Sequence, residues 1–283
     1  MSTPAGFDPR RFKAQERAGF NRIAARYAEG AHLRADLATA LLDAAKLAPG
    51  QRVLDLASGP GLLAREAAAR VAPDGWVLAS DIAEGMLAEG AQRAADEGCA
   101  DTLSFAAADA EHLCLPDASF DRVLAGLALF MFPHPQQALT EMRRVLRPGG
   151  RLALSVWGPR DVVPLISRAQ DCIARLLPAP KVPRPSVFRF GDADALVSAL
   201  TTAGFSDLRI EPCRFTCHFA DSESYWQAFL DLAGGAAEAL SRLPEATQVT
   251  LRAAVTGDLE AHRSADGAGY SVDALALVAI AQA

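Results

Sequence analysis

A short glycine-containing segment, 53–64, carries the residue types and spacing best suited to ligand chemistry. It begins as an apolar run that contains one acid, Asp55, and turns at Gly59 and Gly61 into a stretch of helical composition. Glycine lets a backbone bend sharply and lie close to a ligand, and the N-terminus of the following helix offers free N–H groups. A second acid, Asp81, ends another apolar run about 20 residues later. The pattern predicts a strand, a ligand-binding turn and a helix.

This spacing is compatible with two kinds of nucleoside ligand. Gly59-x-Gly61-x-x-Ala64 with an acid about 20 residues on matches the dinucleotide fingerprint, so an NAD-dependent dehydrogenase is one interpretation. Asp55 argues against it, because a carboxylate at the turn repels a pyrophosphate and attracts a cation. About 50 residues of helical composition also precede the first strand, whereas dinucleotide domains more often begin with one. A cationic nucleoside such as S-adenosylmethionine suits the acid better.

Five segments resemble the class I S-adenosylmethionine-dependent methyltransferases, particularly the small-molecule branch that includes the ubiquinone/menaquinone-biosynthesis C-methyltransferases. They occur in the family's order and spacing at 53–64, 77–82, 107–111, 120–123 and 141–150. One position departs from the family, because Ala57 stands where its first loop glycine is expected. The resemblance implies S-adenosylmethionine as the cofactor.

Three acids at strand ends are the main candidates for cofactor binding. Asp55 would attract the cofactor's ammonium group, or else cap the N–H groups of the loop. Asp81 would accept both ribose hydroxyls, or else cap the helix that follows. Asp109 would accept from the adenine amino group, with the Ala110 N–H nearby, or else be a solvated loop acid.

Apolar residues complete the predicted cofactor site. Ile82 and Met86 would sandwich the adenine, although either would also suit an ordinary core position. The resemblance places Tyr27 at the carboxylate end of the cofactor, and packing of its helix is the alternative. The remaining predicted contacts come from the loop and from the end of the fourth strand: Ala57, Gly59, Gly61 and Ala125.

Candidates for the acceptor side are weaker. Phe130 and Phe132 follow the fourth strand. Nucleic-acid and protein-amide methyltransferases carry an Asn/Asp-Pro-Pro-aromatic motif at this place, and this chain lacks it. The two phenylalanines would either line a substrate pocket or lie buried under the sheet. Trp226 and Phe229 would reach the acceptor from a lid. His134 precedes a proline, as a helix cap does, or acts as a general base.

The implied reaction is transfer of a methyl group to a small, apolar or aromatic metabolite, with oxygen, carbon and nitrogen acceptors all open. In-line displacement from a sulfonium needs alignment and exclusion of water, which contribute up to about 7–11 kcal/mol, so an obvious acid or base is not required. A non-methylating S-adenosylmethionine-binding protein on the same fold is a further alternative to the dehydrogenase.

The order of apolar runs predicts an α/β fold: a doubly wound, mostly parallel, seven-stranded sheet of Rossmann-like methyltransferase type, with N-terminal helices and an inserted helical lid. The predicted parts are N-terminal helices and cofactor core at 1–158, a lid insertion at 159–190, a core helix and strand at 191–219, a helical lid insertion at 220–267, and a last strand at 268–283.

Composition and charge indicate which kinds of partner and which cellular location to expect. Asp plus Glu outnumber Lys plus Arg by 34 to 28, a net charge of −6 that argues against nucleic acid as a partner. The longest apolar run, 123–132, is too short to span a bilayer, and no cleavable signal is visible, so we expect a cytoplasmic protein without a membrane span. The five cysteines show no zinc spacing, and we expect no metal. A small-molecule acceptor is the expected partner, and a homodimer stays open.

Overall fold

A computed structural model describes residues 6–179, 183–265 and 267–283; residues 1–5 and parts of both expected lids, 180–182 and 266, lie outside it. Within the described ranges seven strands form one sheet in the order β3-β2-β1-β4-β5-β7-β6. The strands are β1 Arg52–Leu56, β2 Trp76–Asp81, β3 Leu103–Ala107, β4 Phe120–Gly126, β5 Leu146–Trp157, β6 Ser206–Phe219 and β7 Tyr270–Gln282. Strands β1 to β5 are parallel, and β7 runs antiparallel to β5 and β6, which confirms the predicted fold.

The central strands form because their side chains are apolar on both faces. Val53, Leu54 and Leu56 of β1 are at most 1% exposed, as expected for a parallel strand covered by helices on either side. The fifth strand starts at Leu146, which pairs with Phe120 before the register shifts and pairing resumes at Arg151.

Ten α-helices connect or flank the strands in the described part of the chain. They are α1 Pro9–Glu29, α2 Ala35–Ala45, α3 Leu62–Val71, α4 Glu84–Asp96, α5 Pro135–Val145, α6 Pro164–Leu176, α7 Ala193–Thr202, α8 Ser222–Leu232, α9 Gly235–Ser241 and α10 Glu245–Leu259. Asp8 caps α1 by accepting hydrogen bonds from the N–H groups of Arg10 and Arg11, next to a proline at the first helical position. None of the described helices is both long and apolar enough to cross a membrane.

The register of the sheet brings the predicted acids to one edge. Asp55 of β1 pairs with Ala79 of β2 on one side and with Leu124 of β4 on the other. The strand order reverses at β1, and open α/β sheets bind ligands in the crevice outside the carboxyl ends at such a point.

The two segments expected to be lids pack against each other. Helix α6 contacts α8 and α10, and α9 contacts α1. The buried hydroxyl of Tyr225 on α8 donates to the carbonyl of Leu165 on α6 at 3.1 Å.

Candidate cofactor and acceptor site

The loop after β1 owes its shape to three left-handed residues. Ala57, Gly59 and Gly61 have φ values of 55°, 54° and 72°. Glycine adopts this conformation freely, whereas a residue with a Cβ loses about 1–2 kcal/mol in it. Ala57 therefore holds the turn under strain, which explains why a glycine is expected at that position.

Asp55 is a buried carboxylate without a counter-charge. Its side chain is fully buried, and neither carboxylate oxygen has a hydrogen-bond partner among the described residues. Burial, and then the negative charge of Asp81, raises the pKa of Asp55 to about 8. A site of this kind favours a ligand that brings a positive charge to the carboxylate.

Asp81 organises the loop through hydrogen bonds to its backbone. One carboxylate oxygen accepts from the Gly59 N–H at 2.9 Å, and the other accepts from the Ala83 N–H at 2.8 Å. Burial raises the pKa of Asp81, although these backbone hydrogen bonds oppose the effect. The residue therefore caps both the loop and the start of α4, and each oxygen keeps a lone pair for a ligand hydroxyl.

A first cavity, with about 650 Å³ of space that includes open solvent, lies between this loop and helices α1 and α2. It brings together four of the predicted residues: Tyr27, Asp55, Ala57 and Gly59. Its other lining residues include several that the sequence analysis did not single out, among them Arg34, Leu37, Leu41, Leu63, Leu127 and Ser155.

Arg34 is the most informative of these additions. It is 8% exposed, its guanidinium lies 4.1 Å from the centre of the Tyr27 ring, and it donates to the Tyr27 carbonyl at 3.0 Å. It sits in the turn between α1 and α2, outside any motif, so no spacing in the sequence distinguishes it from other arginines. The cavity therefore holds an arginine as well as the unpartnered acid Asp55.

A second cavity, lined by α1 and by the ends of β2 and β3, contains Ile82 and Asp109. Lys13 of α1 lies across it, with Nζ 2.7 Å from Asp109 and 2.6 Å from the buried Glu111. Burial raises the pKa of Asp109, but hydrogen bonds from Lys13 and the Glu111 N–H outweigh this and lower it. Asp109, Glu111 and His112 are close enough to hold a metal ion, yet Lys13 already supplies a cation there.

Several predicted site residues, Asp81 among them, line neither of these two cavities. Gly61 shapes the loop, Met86 packs with Ile23 between α1 and α4, and Ala110 and Ala125 are buried. His134 is exposed; its backbone N–H donates to Glu111, and its carbonyl accepts from the N–H groups of Gln137 and Ala138 at the start of α5.

The four aromatic residues predicted for the acceptor pocket belong to the main apolar core. The exposed fractions of Phe130, Phe132, Trp226 and Phe229 lie between 5% and 9%. Trp226 stacks on Phe229 with ring centres 5.6 Å apart. Both residues lie on α8, which contacts α6 and α10.

Comparison with known proteins agrees with this geometry. Residues 53–150 match the family described as "Methyltransferase domain". The chain is 42% identical over 123 residues to a ubiquinone/menaquinone biosynthesis C-methyltransferase of Ectopseudomonas mendocina, a match spanning 44% of this chain and 48% of that protein. The protein of the same name from Laribacter hongkongensis is 38% identical over 177 residues, covering 58% of this chain and 70% of the relative. The chain thus spans only about half the length of the first of these relatives.

Solved structures share the fold at low sequence identity. A methyltransferase of unestablished activity from Bacillus halodurans superposes with a TM-score of 0.60 at 20% identity, over 87% of this chain and 97% of the other. The [4+2]-cyclase SpnF has a TM-score of 0.55 at 23% identity, over 87% and 79%. Identities this low show the fold alone. The second structure is named as a cyclase and not as a methyltransferase. The matches in sequence and the loop geometry together show that the chain belongs to the class I S-adenosylmethionine-dependent methyltransferases.

Proposed function

We propose that this protein transfers a methyl group from S-adenosylmethionine to a small apolar or aromatic molecule. The observation that carries the proposal is that Asp55 and Arg34 both line the first cavity. A buried, unpartnered carboxylate and a guanidinium are complementary to the ammonium and carboxylate of an amino acid. The pyrophosphate of NAD would meet the acid unfavourably, so the dehydrogenase interpretation lacks support.

The residues present match the cofactor group by group. Asp55 would accept from the ammonium, Arg34 would donate to the carboxylate, and the free lone pairs of Asp81 would accept from the ribose hydroxyls. Ile82 and Asp109 line the second cavity and would contact the base. When bound, the cofactor supplies a methyl group activated by its sulfonium.

Catalysis would then rest on alignment and exclusion of water. Among the described residues that line the first cavity, Tyr27, Arg34, Asp55 and Arg65 are those with ionisable side chains, and Asp55 is committed to the cofactor. Alignment contributes up to about 7–11 kcal/mol to such a displacement. We assign no role to His134, and the accepting atom stays open between carbon, oxygen and nitrogen.

Segments 159–190 and 220–267 are proposed as a cap over the acceptor. Arg184 of the first pairs with Glu16 of α1, and α9 of the second packs on the same helix, so both segments contact α1. Cytoplasmic location, absence of a nucleic-acid partner and a homodimer are parts of the same proposal; the net charge of −6 supports the absence of a nucleic-acid partner.

Two measurements test the function. Calorimetry should show S-adenosylhomocysteine binding in the micromolar range, about −8 kcal/mol, and no measurable binding of NAD. Incubation with S-adenosylmethionine and a panel of phenols, naphthols and quinols should release S-adenosylhomocysteine. NAD binding without S-adenosylhomocysteine binding would favour the dehydrogenase interpretation instead. Cofactor binding with no methylated product across the panel would support a non-methylating member of the fold.

A further inference from the structure

Leu127, the first residue after β4, has a backbone conformation that leucine rarely adopts. Its φ is 50°, in the left-handed region. Of the five described non-glycine residues with positive φ, Leu127 and Ala57 are the two that line the first cavity. Leucine has no polar side-chain atom that would ease this conformation, as asparagine does.

Neighbouring groups fix this strained backbone. The Leu127 N–H donates to both the carbonyl and the hydroxyl of Ser155, each at 3.0 Å, and Ser155 on β5 is 1% exposed. At the preceding residue, Gly126, a Cβ would lie 2.6 Å from Cδ1 of Leu63, so the Leu63 side chain would have to move to admit one. Strain that is held this firmly is typical of ligand-contacting positions.

The surroundings of Leu127 are apolar, in contrast to the loop with Asp55. The side chains nearest to a Cβ on Gly126 are those of Leu63 and Leu41, and Leu37 of α2 lines the same cavity. The cavity therefore combines a charged region at the β1 loop with an apolar region at the end of β4.

We propose that Leu127 determines acceptor specificity by presenting an apolar surface that favours an uncharged part of the acceptor over a polar one. The inference rests on the proposed function, which puts the cofactor in the charged region. The proposed acceptor contact is thus a residue that lines the cavity, in place of the buried aromatic residues expected from sequence: Phe130, Phe132, Trp226 and Phe229.

The test compares Leu127→Asn with the matched control Leu127→Met. Asparagine tolerates a left-handed backbone better than leucine, so the first variant keeps the fold while making the surface polar. Calorimetry measures S-adenosylhomocysteine binding to each protein, and then 1-naphthol binding to each S-adenosylhomocysteine-loaded protein. We expect cofactor affinity within threefold of wild type in both variants. Naphthol affinity should fall at least tenfold in the Asn variant and stay within threefold in the Met variant.

The other outcomes overturn the inference in distinguishable ways. Naphthol affinity that is unchanged in the Asn variant, or naphthol that does not bind the loaded wild-type protein, removes the role of Leu127 and leaves the proposed function standing. A large drop in melting temperature for the Asn variant makes Leu127 a packing residue. Wild-type protein that does not bind S-adenosylhomocysteine ends the proposed function, and this inference with it.

Discussion

Replacement of Asp55 by asparagine should stabilise the ligand-free protein at alkaline pH and at the same time weaken cofactor binding. The carboxylate is fully buried and has no partner, so its ionisation in the folded state is unfavourable. Asparagine has nearly the same shape and no charge. It removes the cost of ionisation, but it also removes the negative charge that we propose for the cofactor's ammonium.

The magnitude follows from the pKa of Asp55, which burial and Asp81 raise to about 8. An aspartate in an unfolded chain has a pKa of about 3.9, so the folded state holds this proton more tightly. A raised pKa gives stability that is complete below pH ~4 and is lost progressively up to pH ~8. Between pH 5 and pH 8 the wild-type protein should lose about 4 kcal/mol relative to Asp55→Asn, at about 1.4 kcal/mol per pH unit. Other groups titrate in both proteins and cancel in this comparison.

Melting temperatures of both proteins at pH 5 and pH 8, with and without S-adenosylhomocysteine, provide the assay. Without ligand, the difference in favour of the variant should grow by roughly 8–10 °C over this range for a chain of this size. With ligand, the variant should lose most of the ligand-induced stabilisation, because a charge-assisted hydrogen bond contributes about 1.5–3 kcal/mol. A variant that is less stable than wild type at pH 8, and that still binds S-adenosylhomocysteine normally, would refute the reasoning.

Three further substitutions test other parts of the site. Asp81→Asn should lower S-adenosylhomocysteine affinity at least about tenfold. It should also reduce the melting temperature, because the Gly59 and Ala83 N–H groups lose a charged acceptor. A fall in melting temperature without a loss of affinity would show that Asp81 only caps the loop and helix α4. Arg34→Gln should weaken S-adenosylhomocysteine binding about tenfold or more by calorimetry, yet barely affect the binding of adenosine, which lacks the carboxylate. Phe229→Ala should cost about 3–5 kcal/mol in denaturant unfolding, as a core residue does; a stable variant that fails only in turnover would restore it to the acceptor site.

The sheet could be predicted from the sequence because its strands are local apolar runs separated by glycine turns and amphipathic helices. The extent of β5 could not, because residues 146–150 join the strand only through pairing with Phe120 across a register shift. The sequence of that segment, with a proline and two glycines, indicates a turn when it is considered alone.

The proposed cofactor half of the site could be inferred from sequence for a similar reason. Asp55, Gly59 and Asp81 are fixed by the geometry of one strand, one turn and the next strand. Arg34 and Leu127 were not accessible, because the first lies in a turn without a motif and the second is distinguished only by its φ of 50°. An aromatic residue such as Trp226 suits a core as well as a pocket, and only the packing of α8 shows which it occupies.

Helix α1 connects the two ends of the proposed cofactor site, which no single motif reveals. Tyr27 lines the first cavity and Lys13 the second, 14 positions apart in the sequence, or roughly 21 Å along a helix. Charged contacts tie this span to the core, through Lys13 to Asp109 and Glu111 and through Arg17 to Glu84. Helix α1 therefore lines both cavities, whereas the glycine loop lines only the first. A substitution that loosens α1 should weaken contacts to both ends of the cofactor, whereas one in the loop should weaken only the end nearest to it.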